Sequence, residues 1–394
     1  MEITSRLVAT ICVVSVLSGA SAFRCRAQDD RYSFHPLATV REETVPENFY
    51  NLPDPIPSGK PGDLIKAEPY DDYALPYSVS VTRALYHSVN AIGQDVVASG
   101  VILVPQGKEP LGGWPVIAWA HPFIGAARNC APSLMKGLYG GAFLSMYVSM
   151  GYAVVATDYV GLGTPFRNAA LDSQSNATDV TNAVIAARKA VPQLGLPWVA
   201  AGEREGGLAA LMIGEREDHI GDSGYLGSMA IAPTLDLKSV IESGHEQPDN
   251  LLFLAYGAGT IYPNFDAESI VGPNALARYR DIDKACDLGP KRVKSTPSPL
   301  VDNWDQNPFI SKFFKRNSLG YRRAPEPILI ISPISAVVTS GANPISRMCS
   351  LGDTIDLESY DVDTDSLMGE SVSFQLTWLK ARFSGRTSPS ACHR

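Results

Sequence analysis

Five short apolar runs punctuate this chain and constrain its fold more than any other feature. Pro115–Ala120 ends at His121, Tyr152–Thr157 at Asp158 and Trp198–Ala201 at Gly202; Met229–Ala232 and Ile328–Ile331 complete the set. Runs of this length without polar alternation fit strands buried on both faces. Helical stretches separate or follow them, over 141–150, 177–191, 207–214, 343–351 and 371–383. Strand alternating with helix predicts an α/β fold built on a mostly parallel, doubly wound sheet. Upstream, two strands within 79–105 flank a polar turn with glycine and predict an antiparallel hairpin. Residues 44–76 are proline-rich, from Pro46 to Pro76, and read as an extended arm lying on the body. The domain plan is therefore a leader over 1–22, an arm over 23–76 and a body over 77–394. Residues from about 236 to 320 interrupt the alternation. An insertion there sits above the carboxyl ends of the strands, where open α/β sheets bind ligands, and is read as a lid or cap.

The leader has the parts of a secretory signal. Arg6 precedes the apolar run Leu7–Leu17, and Ala20-Ser21-Ala22 supplies small residues for cleavage before Phe23. That run is short for a bilayer span. No later stretch is long and charge-free enough, so no integral membrane segment is expected after cleavage. The protein is expected outside the cell or in a periplasm. Of six cysteines, Cys25, Cys130, Cys286, Cys349 and Cys392 remain after processing. An oxidising compartment favours their pairing. There is no CxxC motif, no metal site is expected and no cofactor is implied. Asn176-Ala177-Thr178 is a glycosylation sequon, relevant in a eukaryotic host. The chain is 45% hydrophobic, which excludes a disordered chain. A net charge of -8 without a Lys/Arg run argues against nucleic acid or an anionic membrane surface as the partner.

A series of motifs runs in one order along the chain. Pro61-Gly62-Asp63-Leu64-Ile65 with Glu68-Pro69 opens it, and Leu85-Tyr86-His87-Ser88 and Ser99–Pro105 follow. Trp119-Ala120-His121, Cys130-Ala131-Pro132-Ser133, Gly151–Tyr159, Gly161-Leu162-Gly163-Thr164-Pro165 and Ala232–Leu237 continue it. Over residues 46–392 the chain resembles the secretory lipases, secreted α/β-hydrolases that act on acyl esters. The resemblance implies an α/β-hydrolase fold with an inserted lid and a lipid or acyl-ester ligand beneath it. It also implies disulfides Cys130–Cys286 and Cys349–Cys392, although the cysteines alone leave the connectivity open.

That chemistry needs a nucleophile elbow, G-x-S-x-G, whose glycines permit a sharp turn between strand and helix. Here the elbow reads Gly202-Glu203-Arg204-Glu205-Gly206, so Arg204 holds the nucleophile position. A guanidinium stays protonated and does not attack a carbonyl. By resemblance the acid position is Ala336, which has no group to orient an imidazole. The base belongs in the loop over 360–366, which contains no histidine; its best-matching position is Asp365. The oxyanion turn reads His121-Pro122-Phe123, and proline removes one N–H from a loop that should present donors. The residue after the nucleophile position is Glu205. The expectation is a secreted pseudoenzyme in which Arg204 pairs with Asp365, with Glu203 and Glu205 as competitors. Two rivals stand beside it. One is an active secreted lipase or esterase, hydrolysing acyl esters of the triacylglycerol type with a catalytic set not recognised in these motifs; Ser223 lacks the elbow frame, Ser145 falls inside a helix and Ser239 beyond a strand. The other is a protein-interaction module with an unidentified partner.

Overall fold

A computed structural model describes residues 44–220, 222–243, 250–284, 286, 298–334 and 344–393. The leader, Cys25 and Ala336 lie outside these residues. Among the described residues nine strands form one sheet: β1 (Leu64–Pro69), β2 (Val79–Val89), β3 (Asp95–Pro105), β4 (Trp114–Ala120), β5 (Ala153–Thr157), β6 (Leu194–Glu203), β7 (Tyr225–Ile231), β8 (Ile328–Pro333) and β9 (Ile355–Tyr360). Their spatial order is β1-β2-β3-β5-β4-β6-β7-β8-β9. The first three strands pair antiparallel, and β5 through β9 run parallel to one another. All five apolar runs are strands of the parallel part. The arm differs from the expectation in one respect: it contributes β1, an edge strand whose closing Pro69 has no N–H to give to a ladder.

Helices α1 (Gly141–Ser149), α2 (Ser173–Ala190) and α3 (Glu205–Ile220) connect the central strands. Alternate residues of a strand face opposite sides of the sheet. Val116, Ala118 and Ala120 of β4 accordingly join one core with α2 and α3, while Ile117 and Trp119 join the other with α1. The chain leaves β4 towards β5 on one side, and the following crossover reaches β6 on the other. Such a reversal opens a crevice at the carboxyl ends of β4 and β6.

Between β7 and β8 the described residues hold α4 (Leu237–Ser243), α5 (Asn250–Ile261), α6 (Leu276–Arg280) and α7 (Pro308–Arg316). They build a third apolar cluster around Leu254, Phe253 and Phe313, against which Phe123 from the turn after β4 also packs. A buried ion pair ties this insertion to the body. Asp172 caps α2, accepting from Ser175 N–H, and its side chain is fully buried. Arg316 at the end of α7 donates to both of its carboxylate oxygens, at 2.8 and 3.0 Å. Beyond β8 lie α8 (Pro344–Ser350), α9 (Thr364–Glu370) and α10 (Val372–Phe383). The disulfides Cys130–Cys286 and Cys349–Cys392 are both formed, as the resemblance implied.

Candidate functional site

β6 ends at Glu203 and α3 begins at Glu205, so Arg204 alone makes the turn between them. Its φ is +52°, in the left-handed region that costs a residue with a side chain about 1–2 kcal/mol. The flanking glycines explain how so tight a turn fits. A Cβ at Gly202 would strike the Gly206 carbonyl, and one at Gly206 the Ala120 carbonyl. Arg204 N–H donates to the Ile231 carbonyl at 3.0 Å, while its own carbonyl accepts from Leu208 N–H at 3.0 Å and Thr234 N–H at 3.1 Å. The strand–turn–helix that would present a nucleophilic serine is therefore intact, and it presents an arginine.

Arg204 Nη2 donates to Asp365 Oδ1 at 2.5 Å, and its Nε lies 3.9 Å from Glu203 Oε1. The ion pair expected from the sequence is present. Asp365 does not sit in a loop, however, but in the first turn of α9. Asp363 starts that helix early, its carboxylate accepting Ser366 N–H at 2.8 Å. The pair is solvated, with Arg204 32% and Asp365 49% exposed, so it stabilises by about 0–1 kcal/mol. Glu203 is more enclosed, and burial raises its carboxyl above the usual range while Arg204 opposes the rise. Tyr139 belongs to this group and was not found from the sequence. Its hydroxyl is pushed up to about 12, by burial first and then by the charge of Glu203. Leu138 and Tyr139 both have positive φ, and the glycines at 137, 140 and 141 were the available signal for such a turn.

The turn after β4, read from the sequence as the oxyanion turn, is closed by the chain itself. Phe123 N–H donates to Glu205 Oε2 at 3.2 Å, and Thr234 Oγ1 donates to Glu205 Oε1 at 3.1 Å. Glu205 is 5% exposed. A backbone donor that could face a developing oxyanion thus faces a fixed carboxylate, and Pro122 beside it has no N–H to offer. Both carboxylate oxygens of Glu205, expected from the sequence as a competitor for Arg204, are thus engaged by Phe123 and Thr234. His121 is buried against Tyr159, with ring centroids 4.2 Å apart, and its Nδ1–H donates to the Pro122 carbonyl at 2.7 Å. Burial holds its pKa down at about 4, so the ring is neutral and supports the turn.

The remaining candidates are structural. Ser145 lies inside α1 and donates to the Gly141 carbonyl at 2.7 Å, and Ser239 in α4 donates to Asp236 at 2.7 Å. Ser223 is exposed in a turn. Asn176 corrects the sequon reading: it lies inside α2 and is only 8% exposed, which leaves no surface position for a bulky glycan. Among the described residues no three His, Cys, Asp or Glu side chains are grouped to hold a metal ion.

No family model and no curated protein sequence matches the chain. Solved structures do. Lipase A of Candida antarctica superposes with a TM-score of 0.73 at 16% identity, covering 89% of each chain. A rice cell wall degrading esterase, LipA of Xanthomonas oryzae, superposes with a TM-score of 0.65 at 19% identity, covering 83% of this chain and 98% of that one. At such identities the likeness is one of fold: this chain has the α/β-hydrolase fold on which those lipases and esterases are built.

Proposed function

We propose that the protein is a lipase-like α/β-hydrolase homologue that does not hydrolyse esters and acts by binding. The observation that carries this reading is Arg204, held at the elbow in place of a nucleophile and paired with Asp365 where a base belongs. The carboxylate of Glu205 on the Phe123 N–H adds a second, independent obstacle to acyl transfer. The ligand on this reading is a lipid or acyl ester beneath the helical insertion, whose Phe253 packs edge-on against Phe123 at 4.7 Å. The protein is exported: disulfides favour an oxidising compartment, and among the described residues no helix is long and apolar enough to cross a membrane.

The test is direct. Purified protein is assayed with p-nitrophenyl butyrate and palmitate and treated with a fluorophosphonate probe. Turnover at the buffer rate and an unlabelled protein are expected. Hydrolysis that survives Arg204→Ala but disappears in Ser223→Ala would overturn the reading in favour of a relocated serine. Lipid that co-purifies and is identified by mass spectrometry supports binding under the insertion. A protein retained at equal stoichiometry instead points to an interaction module.

A further inference from the structure

A cavity of about 280 Å³ opens between the turn joining β2 and β3, the loop after β5 and the end of α5. None of Glu203, Arg204, Glu205 and Asp365 lines it. Its wall includes the apolar side chains of Val96, Val160 and Phe166. Several of its polar groups are already engaged. Ser175 Oγ donates to Asp172 at 2.6 Å, and Thr260 Oγ1 donates to the Tyr256 carbonyl at 2.9 Å.

Two carboxamides are not fully engaged. Asn168, 5% exposed, spends its Nδ2 on the Val160 carbonyl at 2.7 Å and receives no hydrogen bond at Oδ1 from the described residues. Asn176, 92% buried, has no hydrogen-bond partner among the described residues for either end of its carboxamide. Neither carboxamide is sealed from solvent, and both open onto the cavity with hydrogen-bonding capacity to spare. A ligand that offers both a donor and an acceptor pairs with them in place of water.

Charge narrows the class. Asp179, one helical turn after Asn176, lines the same cavity, its carboxylate accepting from Ser88 Oγ at 2.5 Å and Val160 N–H at 2.8 Å. An anionic head group placed at Asn176 would lie beside this carboxylate. Among the described residues the cation in the wall is Arg167, whose guanidinium lies over the Tyr256 ring, 4.3 Å from the centroid. We propose that this cavity binds a small neutral amphiphile, a short apolar body carrying an amide or alcohol head that pairs with Asn176 and the Asn168 Oδ1. The site is independent of the reading of Arg204.

Hexanamide, 1-hexanol and hexanoate are titrated into the full chain above neutral pH and followed by ligand-observed NMR. Hexanamide and 1-hexanol are expected to bind, and hexanoate to bind at least about tenfold more weakly. Asn176→Ala is expected to weaken hexanamide about tenfold, the loss of one paired amide. Its melting temperature should not fall, because the native side chain makes no internal hydrogen bond. Ala91→Trp, in the turn at the rim, is expected to block the cavity and abolish binding. Absence of hexanamide binding to the wild type overturns the proposal. So does hexanoate binding as tightly as hexanamide, or affinity unchanged in both variants.

Discussion

Arg204 sits on backbone that most residues avoid, and the contacts that hold it there belong to its neighbours rather than to its side chain. Gly202 and Gly206 let the strand, the turn and the helix approach one another, and Thr234 and Ile231 fix the peptide groups of the turn. Installing a serine should therefore be structurally easy and chemically unrewarding. Arg204→Ser with Asp365→His is expected to leave p-nitrophenyl butyrate hydrolysis within about tenfold of background, because the Phe123 N–H still faces Glu205. Adding Glu205→Ala should raise the rate of that pair by about 10²–10³, the usual worth of one oxyanion donor. An equal rate with and without Glu205→Ala would show that this carboxylate does not govern the turn. The glycine frame was legible in the sequence because its demand is local, a sharp turn within five residues. The Glu205–Phe123 bond was not, since it joins residues 82 apart. Tyr139 escaped for the same reason: no pattern near it refers to Glu203 or Asp365.

At the scale of elements, the parallel strands were legible because a strand buried on both faces has no polar alternation to disguise it. β1 was not: prolines dominate its surroundings, and its pairing with β2 is a tertiary fact. The insertion showed in the sequence as a break in rhythm, but not its attachment through Asp172 and Arg316. Asp172 both caps α2 and neutralises Arg316, so these two roles can be separated. Asp172→Asn keeps a capping side chain and removes the charge. Breaking a buried pair costs about 3–5 kcal/mol. Arg316 is 27% exposed, so a smaller loss of about 2–3 kcal/mol is expected on urea unfolding. The described residues of the insertion, 250–284 and 298–316, should also become more sensitive to protease. Unchanged stability would mean that the apolar cluster around Phe313 holds the insertion unaided.

At the scale of the whole molecule, the pH dependence of stability draws on fully buried groups, among them Asp179, Asp158 and His121. Burial raises Asp179 to about 7 and Asp158 to about 6, from 3.8. Both carboxyls keep their protons in the folded chain where the unfolded chain has released them. Their contribution is full below about pH 4 and is lost as pH rises through 6 to 7. Asp172 adds a like charge near Asp179, whose polar neighbours are Ser88 and the Val160 N–H. His121 acts with the opposite sign: burial lowers it from 6.5 to about 4, so its contribution is full above 6.5 and lost as pH falls through 4. Asp179→Asn is therefore expected to flatten the decline in melting temperature between about pH 4 and pH 7. A profile parallel to that of the wild type would mean that Asp179 does not titrate there. The Cys130–Cys286 bridge acts at the same scale. It spans 156 residues and fastens the insertion to the segment that follows the Phe123 turn. The two therefore behave as one linkage with a covalent pivot. A pull on the insertion is transmitted to the strand end beneath it, and with the sulfur bridge cut the Asp172–Arg316 pair and the Phe123–Phe253 contact are left to carry that load.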